Sequence, residues 1–387
     1  MGVINMPLRF LDGGESHGKA LIAVLEGIPS NYEVDIDYID NELKRRQQGY
    51  GRGKRMKIER DKVDVWSGLR GNKTTGNPIT FIIKNKDYEN WREYFENDVK
   101  PEERIGVARP GHGDLVGFHK YKTGDMRDSI ERTSARETAI RCAVGALCKQ
   151  MLLDIGIDIR SKVYSLGEFY DQNIDLFNDE NYSIIEESSM RCYNKHIEDG
   201  MKSTIDMCKE EGDTIGGRVY IGIKGVPIGI GSYSNWDRKL DGILSMAIMS
   251  VQAVKAVSFG KTLDLPLIGS IYNDEAYFEE GTLKRASNNC GGIEAGISNG
   301  ENIEMYAVIK PIPSVKKGLN SVDLIKKENV TSRYERSDIS AVVPACIVLE
   351  NVCAFHILDE ILKKFPSDDF NELKENIERY RSELLKY

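Results

Sequence analysis

Short β-branched or aromatic runs at residues 63–66, 79–83, 218–223 and 305–309 lie far apart in the chain, with helical segments between them. No Pro- or Ser-rich linker separates them, and no repeat of 20–50 residues recurs. Strands so spread between helices predict an α+β or mixed architecture with no internal domain boundary. At 387 residues and 40% apolar composition, the chain has enough material for a sizeable core.

The helical pattern is clearest in four places. Residues 37–48 carry Ile39 and Leu43 on one face and stop before Gly49, suited to a left-handed C-cap. Ser134-Ala-Arg-Glu137 reads as a capping box opening a helix that runs past Met151 towards Gly156, with Arg136 in its first turn beside free backbone N–H groups. A third helix starts near Asn235 or Trp236 and carries Leu240, Leu244, Ala247, Val251 and Val254. Phe370, Leu373, Ile377, Tyr380 and Leu384 make residues 368–387 a terminal amphipathic helix. The expected division is a body over 1–365 and a helical tail over 366–387. The acidic stretch 171–212 shows no chemical motif and is expected to be surface helix and loop.

Charge narrows the function. A net charge of −8 opposes a general nucleic-acid binder, yet residues 44–60 hold Lys44, Arg45, Arg46, Arg52, Lys54, Arg55, Lys57 and Arg60 against Glu59 alone. The partner expected for such a segment is small and strongly anionic. Seven scattered cysteines without C-x-x-C predict reduced thiols, and the five histidines lack H-E-x-x-H or closely spaced cysteine partners, so no metal site is expected. With no uninterrupted apolar run near about 18 residues and with Asp12 and Glu15 near the start, the expectation is a cytoplasmic protein with no membrane partner.

Two glycine-bracketed loops each present a histidine: Gly14-Glu15-Ser16-His17-Gly18 and Arg109-Pro-Gly-His112-Gly-Asp114. Such an imidazole can transfer protons near neutral pH, although either loop alone is equally an ordinary turn. Arg109, Arg127, Arg132, Arg136 and Arg141 accumulate around them, interspersed with acids that make salt-bridge networks a competing explanation. Glycine-rich segments at 225–231 and 290–300 allow close backbone approach, as a flat ring, a phosphate or a tight turn requires. Neither a P-loop nor a G-x-G-x-x-G between strand and helix is present. Glu335-Arg336-Ser337-Asp338 sets a base-capable carboxylate beside an arginine.

In order along the chain, LRFLDGGESHG (8–18), RRQQGYGRGKRM (45–56), RPGHGDLVGFHKY (109–121), ERTSARETAIRCAVGA (131–146), NNCGGIEAGISNG (288–300), KPIPS (310–314) and ERSDISAVVPA (335–345) resemble the chorismate synthase family. The resemblance implies a single-domain β-α-β sandwich assembled as a homotetramer. It implies loss of phosphate from 5-enolpyruvylshikimate 3-phosphate by 1,4-elimination, with reduced FMN required and not consumed. A triply acidic substrate accounts for arginine concentrated in an acidic protein, since guanidinium groups pair bidentately with carboxylate and phosphate.

By resemblance, Arg46, Arg52, Arg55 and Arg136 face the substrate, with Arg46 and Arg52 also at positions connected with NADPH. Arg132, Thr133, Ser134, Gln252, Ala253, Ala295, Lys310, Pro311, Ile312, Pro313, Ser314 and Arg336 match flavin positions. His17 matches the imidazole that supports reduced flavin, His112 the one that assists phosphate departure, and Asp338 the base near the flavin. Ala295 and Pro313 stand where glycine and serine are commoner, and Ser258 and Ile271 where glutamate is. Length close to the simpler family members favours flavin reduction by a separate reductase, with reduction by this chain using NADPH as the open alternative. Two other readings remain at this level: a flavin oxidoreductase using the same pocket, and a nucleic-acid module using 44–60.

Overall fold

The computed structural model describes residues 8–53, 60–171 and 174–384. Its first sheet consists of β1 (Arg9–Gly13), β2 (Ala20–Glu26), β3 (Asp64–Ser67) and β4 (Ile79–Lys84), antiparallel in the order β1-β2-β4-β3. The period of two is visible in β2, where Leu21, Ala23 and Leu25 are buried while Ile22 and Val24 are exposed. Their register sets Leu21 opposite Ile83, Ala23 opposite Phe81 and Leu25 opposite Ile79, so one face of the sheet is continuously apolar.

The second sheet contains β5 (Asp158–Leu166), β6 (Phe169–Tyr170), β7 (Gly217–Lys224), β8 (Val254–Phe259) and β9 (Ile303–Ile309), in the order β8-β9-β7-β5-β6. The helices of eight residues or more are α1 (Ile36–Gln47), α2 (Asp114–Tyr121), α3 (Met126–Thr133), α4 (Thr138–Asp154), α5 (Asp179–Glu187), α6 (Lys195–Glu211), α7 (Leu240–Met249), α8 (Val342–Lys364) and α9 (Phe370–Leu384). Helix α4 packs on α1, on α8 and on β2 and β4, while α8 packs on β5 and β7. The two long helices therefore fill the space between the sheets, giving a β-α-β sandwich of the α+β class. Their crossing is close because of Gly145: a Cβ there would lie 2.1 Å from the carbonyl oxygen of Asn351.

Helix α8 has the length and apolar composition of a membrane span, but 89% of its apolar window is buried inside the protein. Helix α9 buries Phe370, Leu373 and Ile377 in the main core, and Arg381 near its end donates to the carbonyls of Ile155 (2.7 Å) and Gly225 (2.8 Å). All seven cysteines are free thiols.

Four local expectations need correction. The third helix ends at Met249, and Val254 opens β8, because Ala253 at φ +70° turns the chain out of helical geometry. Ser134 does cap, accepting from the Arg136 N–H (3.2 Å), but it opens the 3-10 turn Ala135–Glu137 ahead of α4, and the Glu137 carboxylate accepts from Gln252 (2.8 Å). The stretch 171–212 is also more than surface, since Tyr182, Glu186 and Arg191 reach a buried ionic cluster. At the end of α1 the cap is Gln48. Gly49 follows at φ +120°, where a Cβ would press on Val343 at 2.6 Å.

That cluster surrounds Glu350 of α8, which is fully buried. Glu350 accepts from Lys149 Nζ (2.6 Å), Ser161 Oγ (2.6 Å) and Arg45 Nη1 (3.0 Å), with Arg191 Nη2 at 3.5 Å. Arg45 also binds Glu42 (2.5 Å) and Glu186 (2.6 Å). Burial alone would raise the Glu350 and Glu186 carboxyls, but the surrounding cations outweigh it and hold Glu350 well below the carboxylate range and Glu186 at about 2. Glu350→Ala strands Arg45, Lys149 and Arg191 with too little opposing charge, and should cost about 3–5 kcal/mol of unfolding free energy at pH 7 in a denaturant titration. Because the folded values lie below the ordinary 4.5, the contribution is complete above that pH and is lost as pH falls towards about 2. A variant as stable as the parent at pH 7 would show that the cluster contributes nothing net.

Candidate active site

Besides residues 87–91, seven described chain segments converge on one cavity of about 820 Å³. They are the loop between β1 and β2, the 48–53 loop after α1, the loop leading into α2, the junction of α3 with α4, the turn before β8, residues 310–314 after β9, and residues 335–338 before α8. The last turn of α1 divides its two arginines, sending Arg45 inward to Glu350 and Arg46 to the cavity.

His17 is fixed on three sides. Its backbone N–H donates to Glu131 Oε2 (2.8 Å), its Nδ1 lies 2.9 and 3.0 Å from the Glu131 carboxylate, and its ring stacks on Trp91 at 4.2 Å. Asp87 is 3.9 Å from Nε2. The guanidinium of Arg127 lies 4.9 Å from the Trp91 ring and pairs with Glu335 at 2.9 Å.

His112 has its own carboxylate. Nδ1 lies 2.5 Å from Asp114 Oδ1, and Asp114 also accepts from the Arg109 backbone N–H (3.1 Å), Nε (2.9 Å) and Nη2 (3.0 Å). Burial acts to raise the Asp114 carboxyl, but the hydrogen bonds from His112 and Arg109 hold it far below the usual range. An anionic Asp114 can only accept, so the His112 Nδ1 proton points at it and Nε2 is left for a ligand. Arg109 reaches Ser314 Oγ (3.0 Å), and Lys310 donates to the Gly111 carbonyl, tying this loop to 310–314.

Arg46 and Arg136 flank the buried Asp61. Arg136 Nη1 binds it at 2.7 Å and Arg46 Nη1 lies 3.6 Å away, while Arg136 Nε donates to Asn85 and Arg46 Nε to Thr138, each at 3.0 Å. Burial draws the Arg46 guanidinium below its ordinary value against the pull of Asp61. Arg46 Nη1 and Arg136 Nη2 make no hydrogen bond among the described residues, so both are buried donors available to an anion. Arg52 pairs with Asp338 at 2.6 Å, and the Gly53 N–H donates to the same carboxylate at 2.6 Å. Among the described residues the arginine that binds Asp338 is thus Arg52, not Arg336 two positions before it. Among the described residues, seven arginines and lysines line the cavity against four carboxylates, an excess that favours a polyanion.

Of the residues expected at the site, His17, His112, Asp338, Thr133, Ser134, Gln252, Ala253, Lys310, Ile312, Pro313, Ser314, Arg336, Arg46, Arg52 and Arg136 all line this cavity. Arg132 and Pro311 do not; Arg132 is exposed and pairs with Asp12 at 2.9 Å. Ala295 has φ +51° in the tight hairpin between Ile293–Glu294 and Ile297–Ser298, also outside the cavity wall. Arg55 lies outside the described residues. Sequence reasoning missed Asp61, Asn85, Asp87 and Trp91. Only Trp91, one of three tryptophans in the chain, carried a compositional signal.

The family model described as chorismate synthase matches residues 8–362. The chain belongs to the chorismate synthase family. A chorismate synthase of Clostridium tetani is 61% identical over 97% of this chain and 98% of its own length. One of Alkaliphilus oremlandii is 48% identical over 97% and 99%. A solved structure titled "Crystal Structure of Chorismate Synthase" superposes with a TM-score of 0.77 at 34% identity, covering 98% of this chain and 99% of that one. Chorismate synthases are carbon–oxygen lyases of the shikimate pathway, which form chorismate by removing phosphate from 5-enolpyruvylshikimate 3-phosphate.

Proposed function

We propose that this chain carries out that elimination in the 820 Å³ cavity with reduced FMN bound beside the substrate. The observation that carries the reading is the pair of carboxylate-held histidines on a cavity with two buried guanidinium N–H donors that make no hydrogen bond among the described residues. Arg46 and Arg136 bind the acidic groups of the substrate through those donors, and Arg52 adds a third guanidinium. His112 presents Nε2 to the departing phosphate and neutralises its charge. His17, braced by Glu131 and Trp91, holds a proton on the opposite partner, and Asp338 accepts the proton lost from carbon.

The walls fit a flavin. Ile130, Val251, Ala253, Ile312, Pro344 and Val348 offer apolar surface for a flat ring, and the volume is near the upper end of the roughly 300–1,000 Å³ usual for ligand sites. Gln252 adds a buried acceptor, Oε1, without a protein donor among the described residues. Thr133, Ser134, Lys310, Ser314 and Arg336 would supply the remaining polar contacts. When bound, reduced flavin supplies electron density to the breaking C–O bond and recovers it, leaving no net redox change.

The proposal extends to a cytoplasmic homotetramer whose flavin is reduced elsewhere, by a separate reductase using NADPH. Self-association is supported by the outer face of the first sheet, where Leu11 (73% exposed) lies opposite Val24, beside exposed Ile22. No described residue of α9 lines the cavity, so that tail serves stability rather than chemistry.

The deciding experiment is an anaerobic assay of phosphate and chorismate from 5-enolpyruvylshikimate 3-phosphate with chemically reduced FMN. Both products should form together while the flavin remains reduced. Stoichiometric flavin oxidation would falsify the lyase reading and favour an oxidoreductase. For assembly, a light-scattering mass near 43.6 kDa would overturn the tetramer.

A further inference from the structure

Gln252 occupies a strained turn. Its neighbour Ala253 holds φ +70°, a conformation that costs an L-residue energy, and the Ala253 carbonyl accepts from the Lys310 N–H at 2.8 Å. This turn places the Gln252 side chain in the cavity wall, where Nε2 donates to Glu137 Oε2 at 2.8 Å. Arg141 Nε lies 4.0 Å from the other oxygen, Glu137 Oε1. A side-chain amide has one accepting and one donating end, and a carboxylate only accepts. Ionised, Glu137 dictates which end of Gln252 faces it; burial and the neighbouring Asp12 raise its carboxyl, while Arg141 and the Gln252 amide favour the anion. The amide oxygen is turned away, buried, and without a donor among the described residues.

We infer that Glu137 is a positioning residue that locks the Gln252 amide so that Oε1 accepts the imide N–H of the flavin ring. The inference rests on the flavin reading above and adds to it a residue that does not itself line the cavity. A glutamine free to rotate would serve donors and acceptors equally. One held by Glu137 selects a ligand N–H and opposes any group that lacks it, since a buried acceptor left unpaired is penalised.

The test uses equilibrium binding of oxidised FMN and of N3-methyl FMN, in which the only ring N–H is blocked, followed by flavin fluorescence. The full-length parent protein should bind FMN at least about fivefold more tightly than the methylated analogue, the low end for leaving a buried acceptor unpaired. In Glu137→Gln the facing amide satisfies Gln252 in either orientation, so the preference should fall to within about threefold while the thermal midpoint is nearly unchanged. Equal affinity of the parent for both flavins overturns the inference while leaving the flavin site intact, and this arm needs no variant to fold. Undiminished preference in a folded Glu137→Gln overturns the role of Glu137. Failure of the parent to bind FMN at all overturns the flavin reading itself, and this inference with it.

Discussion

His112→Ala is expected to lower turnover by roughly 10²–10⁴-fold at saturating substrate and reduced FMN, the range typical of a lost general acid–base group. The ring is held by a 2.5 Å contact to Asp114, whose other hydrogen bonds among the described residues all come from Arg109. Alanine removes the imidazole and leaves the buried Arg109–Asp114 pair closed, so the loop keeps its shape and the thermal midpoint should change little. Single-turnover phosphate release separates the outcomes: a slow chemical step with normal substrate affinity assigns His112 to leaving-group departure. His17→Ala should slow turnover over the same range, because Glu131 and Trp91 remain to shape the wall but no longer orient a proton carrier. Near-normal turnover of either variant withdraws that histidine from the chemistry.

Much of the site was legible because glycine-bracketed loops and ordered arginine blocks survive as contiguous words of sequence. Fifteen of the expected side chains line one cavity, although they come from positions as distant as 17 and 338. The strand runs were also readable: β4 and β9, for example, alternate or concentrate β-branched residues between turn-forming neighbours. What the sequence does not display is which distant charges pair. Arg45 meets Glu350 across 305 positions and Lys149 meets it across 201, and both look from sequence like ordinary solvated charges. Helical periodicity likewise carried Val251 and Val254 into a helix that ends at Met249, because a positive φ at Ala253 is a tertiary demand that local propensity opposes. The same turn delivers Gln252 and Ala253 to the cavity, so the local rule fails at a functional position.

Asp338 and Arg52 form the second pair with a large expected effect. Asp338→Asn preserves the shape, and the amide oxygen can still accept from the Gly53 N–H, but it removes the charge that binds Arg52 at 2.6 Å. If Asp338 accepts the proton lost from carbon, turnover should fall by roughly 10²-fold or more. Binding of FMN should stay within a few-fold, and substrate affinity should not weaken, since Arg52 is released from a competing carboxylate. Arg52→Ala should instead weaken substrate binding, because the substrate loses a charge-assisted contact. The double variant tests the pairing itself. Residues in direct contact couple by about 0.5–3 kcal/mol, so the Arg52→Ala and Asp338→Asn effects on kcat/KM should not add. A fully active Asp338→Asn enzyme excludes Asp338 as the proton acceptor, and strict additivity shows that the 52–53 loop and Asp338 act independently despite their contact.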